Sequence, residues 1–152
     1  MPNFIGFSLF SWTLANLCAS LFMTGVIWFV QIVHYPLFSK VGRDGFAEYE
    51  RRHADLTGYV VAPVMLFELA ASFALAYLVR WTPNATLGYA ASGLVVTAWL
   101  STFGLQVPCH NQLRKGFSSA VHTRLVRTNW VRTLSWTVRA VVLLALLLRI
   151  TR

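Results

Sequence analysis

The sequence predicts an all-α, polytopic membrane protein: an antiparallel four-helix transmembrane bundle with helical cytoplasmic extensions, forming one domain over residues 1–152. Three observations carry this reading. Hydrophobic residues make up 57% of the chain and charged ones only 12%, about half the charge of an ordinary soluble domain. The apolar residues fall in long blocks rather than in a stripe of helical period. The basic residues lie between those blocks, where the positive-inside rule puts them. The last point also removes nucleic acid as a partner, although the net charge of +8 would otherwise suggest it. The first partner implied is the lipid bilayer.

In chain order, the blocks that reach the ~20 residues needed to span are 5–34, 58–79, 86–107 and 130–148. The first is longer than a span requires, so it tilts or protrudes. No Lys or Arg occurs in Met1–Phe10, so a basic leader of the secretory kind is not expected. The stretch R-W-T-P-N-A-T joins the second and third blocks as a tight turn. Asp44 is placed to cap a helix running through Phe46, Tyr49 and His53 into the second span, and 118–128 reads as a helical lead into the fourth. Cys18 and Cys109 fall at different depths, which argues against a disulfide between them.

The links after the first and third spans carry Lys40, Arg43, Arg51, Arg52, Arg114, Lys115, Arg124, Arg127 and Arg132. The opposite side carries Arg80, Arg149 and Arg152. That asymmetry predicts a multi-pass protein of the bacterial inner (cytoplasmic) membrane with both termini periplasmic.

The histidines all fall on the predicted cytoplasmic rim, one per helix: His34, His53, His110 and His122. Neutral imidazole is the commonest metal ligand, and carboxylates often complete the shell. Glu50 and His53 form an E-x-x-H, whose members share a helical face. The metal candidates are therefore His53, His110, His34, Glu50 and His122, for iron, copper or zinc. A second possibility is haem b on two of the histidines, with Arg52 or Arg114 near its propionates. Gln31, Gln106 and Asn129 form a polar layer just inside the rim. Such amides either bond between helices or, with His34, orient and contact a cofactor. Pro108 should bend the third helix.

Deeper in the membrane, Glu68 lies roughly 15 Å past Gly58, and Arg139 lies about as deep in the fourth block. An unpaired charge there would cost at least ~2.5 kcal/mol, so the two are expected to pair. They either fix helix register or act as catalytic or proton-handling groups. Pro63 removes an amide below them, and Trp28, Trp99, Trp130 and Trp136 are candidates to line an apolar pocket beside them.

The runs W-F-V-Q-I-V-H-Y-P-L-F (28–38), W-L-S-T-F-G-L-Q-V-P-C-H (99–110) and N-W-V-R-T-L-S-W-T-V-R (129–139) resemble small bacterial four-span membrane proteins of unknown function. The resemblance covers most of the chain and implies the fold. The four-span layout is also similar to that of small membrane oxygenases and of haem-pathway membrane oxidases, by fold-level analogy.

Three functions follow as expectations. The first is a metal- or haem-binding membrane oxidoreductase or oxygenase acting on a lipophilic small molecule through the histidine cluster. The second is a non-enzymatic accessory subunit of a larger electron-transfer or pigment complex. The third is a small proton-coupled transporter working as a homo-oligomer.

Overall fold

A computed structural model describes residues 2–152, with side chains from residue 6 onward. Met1 lies outside the described residues. The chain is all helical among them, and its four long helices are each apolar enough to cross a membrane. We number these α1 to α4. Helix α1 runs Pro2–Phe29, then passes through a π-helical turn at Val30–His34, an α turn at Tyr35–Leu37 and a 3-10 turn at Phe38–Lys40. Helix α2 is Arg43–Val79, α3 is Ala85–Leu113 with a π turn at Thr102–Gln106, and α4 is Ser119–Ile150.

Neighbours in sequence are neighbours in space. The tightest packing runs α1 to α2, α2 to α3, α3 to α4 and α4 back to α1, the ring of an up-and-down bundle. At ~1.5 Å per residue, α2 is about 55 Å long, nearly twice the ~30 Å of hydrocarbon. Its apolar part, 58–79, accounts for about 33 Å. The turns before it, 43–57, therefore stand outside the apolar layer.

Two boundaries differ from expectation in detail. Asp44 does not cap α2: Gly42 occupies the cap position without a side-chain bond, and Asp44 sits inside the first turn. An acidic group there still complements the helix dipole. Ser118 does cap α4, its hydroxyl accepting from the Val121 amide at 3.5 Å, and the expected helical lead is continuous with the span. Helix α2 runs through Pro63 without interruption. Cys18 is exposed and Cys109 buried, both free thiols.

The two π turns share a sequence logic. In each, the residue after the turn donates its amide five residues back, Tyr35 to Val30 and Val107 to Thr102. A proline follows immediately, Pro36 and Pro108. Proline has no amide to give, and its ring crowds the carbonyl four residues earlier. Widening the preceding turn by one residue relieves that conflict without ending the helix. The bend expected at Pro108 is thus a π turn on its N-terminal side.

The core is two apolar clusters separated by a polar layer. The rim-side cluster is built around Met23, Ile27, Phe38, Phe46, Leu113 and Leu125; the other around Leu17, Leu75, Val79, Leu143 and Leu146. At the far end, α2 and α3 close on each other at Gly88. A Cβ there would stand 3.2 Å from Val79 Cβ and Cγ1 and closer still to its other methyl. Gly25 faces open space. Gly88→Ala should therefore lower the melting temperature in detergent, by the ~1–3 kcal/mol typical of overpacking, while Gly25→Ala leaves it unchanged. Equal melting of the two variants would contradict this packing.

Candidate functional site

The polar layer at mid-depth is organised by one guanidinium. Arg139 on α4 donates Nη1 to Glu68 Oε1 at 2.5 Å, Nη2 to Asn16 Oδ1 at 2.6 Å and to Ser72 Oγ at 2.7 Å, and Nε to the Ala91 carbonyl at 3.1 Å. Those partners come from α1, α2 and α3, so all four helices meet on this side chain. Trp136 donates its indole N–H to the other Glu68 oxygen at 2.9 Å. Glu68, Arg139, Asn16 and Trp136 are fully buried. The expected pairing of Glu68 with Arg139 is therefore present. The sequence reading missed Asn16 and Ser72, whose only signal was a polar residue inside an apolar block.

The tryptophans do not line a common pocket beside this pair. Trp136 is buried on Glu68. Trp28 donates to Thr137 Oγ1 at 3.0 Å and meets Trp130 edge-on at 5.6 Å. Trp99 lies apart, in an open groove with Leu69, Leu100 and Phe103. Trp28 and Trp136 follow the acceptors their helix faces offer, whereas the Trp99 indole N–H is buried without a partner.

At the rim, three histidines converge. His34 Nε2 and His53 Nδ1 are 2.8 Å apart, and Thr57 Oγ1 lies 3.1 Å from the same His53 nitrogen. The His53 and His110 rings are 5.7 Å apart. His122 stands behind Phe38, its Nε2 donating to the Tyr35 carbonyl at 2.7 Å. Burial, followed by the proximity of His34 and His110, pushes His53 down to about 3. Outside this cluster, Arg51 and Arg52 hold the exposed Glu48 carboxyl at about 2.

Glu50 and His53 were expected to act together; they take different partners. Glu50 is fully buried, and its Oε1 lies 2.5 Å from His110 Nδ1. The other edge of that imidazole, Nε2, lies 2.9 Å from the Tyr35 hydroxyl. An ionised carboxylate can only accept. With the carboxylate ionised and the imidazole neutral, His110 donates Nδ1–H to Glu50 and its Nε2 lone pair accepts from Tyr35. A carboxylate, an imidazole and a hydroxyl thus stand in series across α2, α3 and α1.

The metal expectation fares poorly on this geometry. Among the described residues, no group of three or more His, Cys, Asp or Glu side chains is arranged to hold a metal ion. His34 and His53 each commit a nitrogen to the other, and His110 commits both of its nitrogens to Glu50 and Tyr35. Arg52 and Arg114, considered for haem propionates, pair with Glu48 at 2.7 Å and Asp55 at 2.8 Å. The amides bond between helices rather than to histidines. Gln31 accepts from Asn129 at 2.9 Å and donates to the Val126 carbonyl at 3.2 Å. Gln106 accepts from Ser101 at 3.0 Å and donates to Thr128 at 3.2 Å.

The relay opens on a cavity of about 230 Å³, whose wall includes Tyr35, His53, His110, Gln106, Arg114 and Arg132. Met23, Val26, Ile27 and Val61 supply its apolar side. Both π turns border it, through Val30 on α1 and Thr102 and Gln106 on α3. Such turns occur often at functional sites because they re-aim side chains that a regular helix would direct elsewhere. Glu68 and Arg139 lie outside this wall.

Two outcomes follow. Glu68→Ala or Arg139→Ala alone should destabilise the detergent-solubilised protein by about 3–5 kcal/mol, because each leaves a buried charge unpaired. Replacing both by apolar residues of similar size should cost less than the two single losses combined. Additive losses in a double-mutant cycle would show the groups to be independent. In addition, His53 is held neutral in the fold but takes a proton when unfolded below the ordinary histidine value of 6.5. Its contribution to stability is complete above that pH and declines as pH falls from 6.5 towards 3. The melting temperature of His53→Gln should fall less steeply over that window than that of the wild type; parallel curves would contradict the assignment.

No protein-family model, curated protein or solved structure matches this chain, so its chemistry has to be read from its own residues.

Proposed function

We propose that this protein is an integral membrane enzyme that performs acid–base chemistry on a lipophilic molecule held in the rim cavity. The observation that carries the reading is the series Glu50–His110–Tyr35, ending at a cavity that is apolar on one side and polar on the other. A buried carboxylate that fixes an imidazole tautomer, with the far nitrogen on a hydroxyl, is a recurrent way to make that hydroxyl or imidazole a proton carrier. In this reading Glu50 orients His110 and stabilises its protonated form. His110 accepts the proton of Tyr35, and the resulting phenolate oxygen takes a proton from the bound molecule. The reverse transfers, with His110 returning its proton to Tyr35 as Tyr35 reprotonates the bound molecule, close the cycle. His34, His53 and Thr57 shape the neighbouring wall. Glu68 and Arg139 hold the helices in register at a distance from the chemistry.

The excess of Lys and Arg on the links that bear the histidines supports a cytoplasmic rim in a bacterial inner membrane, with periplasmic termini. The redox expectation needs a group that the histidines, as they are bonded here, are not poised to bind.

The experiment compares membranes carrying wild type, Tyr35→Phe, His110→Ala and Glu50→Gln after incubation in deuterated water. Extracted lipids are surveyed by mass spectrometry for species that gain deuterium or change composition. Wild type should produce at least one such species. Tyr35→Phe and His110→Ala should lower its rate by about 10²–10⁴-fold, the usual worth of a positioned acid or base. Identical lipid profiles for wild type and Tyr35→Phe would overturn the reading; partners co-eluting in fixed ratio would then favour an accessory subunit. Metal content and an optical spectrum on the same purified sample complete the test. Stoichiometric metal or a haem band lost in His53→Ala would restore the cofactor-dependent reading.

A further inference from the structure

The rim cavity carries a positive charge that the protein leaves uncompensated. Arg132 is only 7% exposed. Its Nη1 donates to Asn129 Oδ1 at 3.3 Å, its guanidinium lies 5.2 Å from the Trp136 ring and beside the neutral Tyr35 hydroxyl, and its Nε has no hydrogen-bond partner. Among the described residues it forms no ion pair, whereas Arg139, the other buried arginine, has Glu68. The cavity's second cation, Arg114, is already bound to Asp55 and is 39% exposed. No Asp or Glu lines the cavity. A guanidinium taken out of water without a counter-charge is costly, and its planar fork matches a carboxylate or phosphate.

The space beside the cavity is apolar and open on the outer surface of the bundle. A groove of about 460 Å³ between α1 and α2 shares Val26, Val30, His53, Thr57 and Val61 with the cavity wall. Its outer edge is formed by Phe29, Leu56 and Val60, all exposed on the bundle surface. A charged head in the cavity and a hydrocarbon tail in the groove would each meet a matching surface, with His53 and Thr57 at the junction.

From this the geometry points to an anion-binding site: the cavity takes the carboxylate or phosphate-monoester head of a single-chain amphiphile on Arg132, and the chain leaves between α1 and α2 into the bilayer. This deepens the acid–base reading by naming the class of its substrate, and rests on it only in taking the cavity as the reaction site. It also assigns a role to Arg132 that register and packing do not explain.

The test uses the full chain in a neutral detergent with a fluorescent polyene fatty acid as the bound probe. Oleate, oleyl phosphate, oleyl alcohol and inorganic phosphate serve as competitors. Oleate or oleyl phosphate should displace the probe at concentrations lower by about tenfold or more than oleyl alcohol, the effect of one charge-assisted hydrogen bond. Whichever of the two competes better identifies the head. Arg132→Gln should abolish that preference, and Arg132→Lys should keep part of it. Equal displacement by oleate, oleyl phosphate and oleyl alcohol from wild type would overturn the proposal, without relying on how any variant folds. So would an unchanged preference in Arg132→Gln. Inorganic phosphate competing as well as oleyl phosphate would overturn the amphiphile. An intact preference with no exchange in wild type would sink the acid–base reading alone and leave the anion site standing.

Discussion

One guanidinium holds this bundle in register. Membrane helices have no hydrophobic drive to choose among packing registers, because lipid is as apolar as a leucine face. A polar contact in the middle makes the choice, because every slipped alternative strands a charge in hydrocarbon. Arg139 does this for four helices at once, through Asn16, Glu68, Ser72 and the Ala91 carbonyl. The two apolar clusters on either side then pack with little freedom. The rim inherits its geometry from that clamp. His110 on α3 meets Glu50 on α2 and Tyr35 on α1 only if those helices stand at the right heights.

The two polar layers differ in kind. At mid-depth the charges close on themselves: Glu68 has a donor on each oxygen, and Arg139 has four contacts. At the rim the network is left open. One oxygen of Glu50 and the Nε of Arg132 are buried without partners, and Tyr35, His110 and Arg132 share a cavity wall. A closed network specifies structure, whereas an open one leaves groups available to a ligand. That contrast is why the proposed acid–base reading places its chemistry on Glu50, His110 and Tyr35 and not on Glu68 and Arg139.

Much of the fold was legible in the sequence, since hydrocarbon thickness permits few alternatives to long apolar helices. The Glu68–Arg139 pair was legible for the same reason: intramembrane charges must find each other. The site was legible only in part. The meeting of His34, His53 and His110 follows from having one histidine at the same end of consecutive antiparallel helices. What each imidazole bonds to does not follow, because partner choice depends on helix rotation, and rotation is set by packing. Glu50 and His53 show this directly. Their E-x-x-H spacing suggested a shared ligand, yet one faces α3 and the other α1. Tyr35 was passed over because a single tyrosine at the end of an apolar run carries no sign of what its hydroxyl will bond, and the two π turns leave no mark in hydropathy.

Those turns also make the rim sensitive to chain length in a way the rest of the bundle is not. Each π turn holds one residue more than the α ladder needs. Excising that residue would restore regular hydrogen bonding and shorten the helix by only ~1.5 Å. It would also swing every side chain beyond it by about 100° around the axis. On α1 that would carry Tyr35 away from His110; on α3 it would carry His110 away from Glu50. The mid-depth clamp and the far apolar cluster would be untouched, since both draw their α3 contacts from residues before the turn, such as Ala91, whereas the rim-side cluster would shift with Cys109 and Leu113. A single-residue indel at either turn is therefore a rotary control on the relay. It turns one member out of line, together with the rim-side packing beyond the turn, while leaving the mid-depth clamp in place.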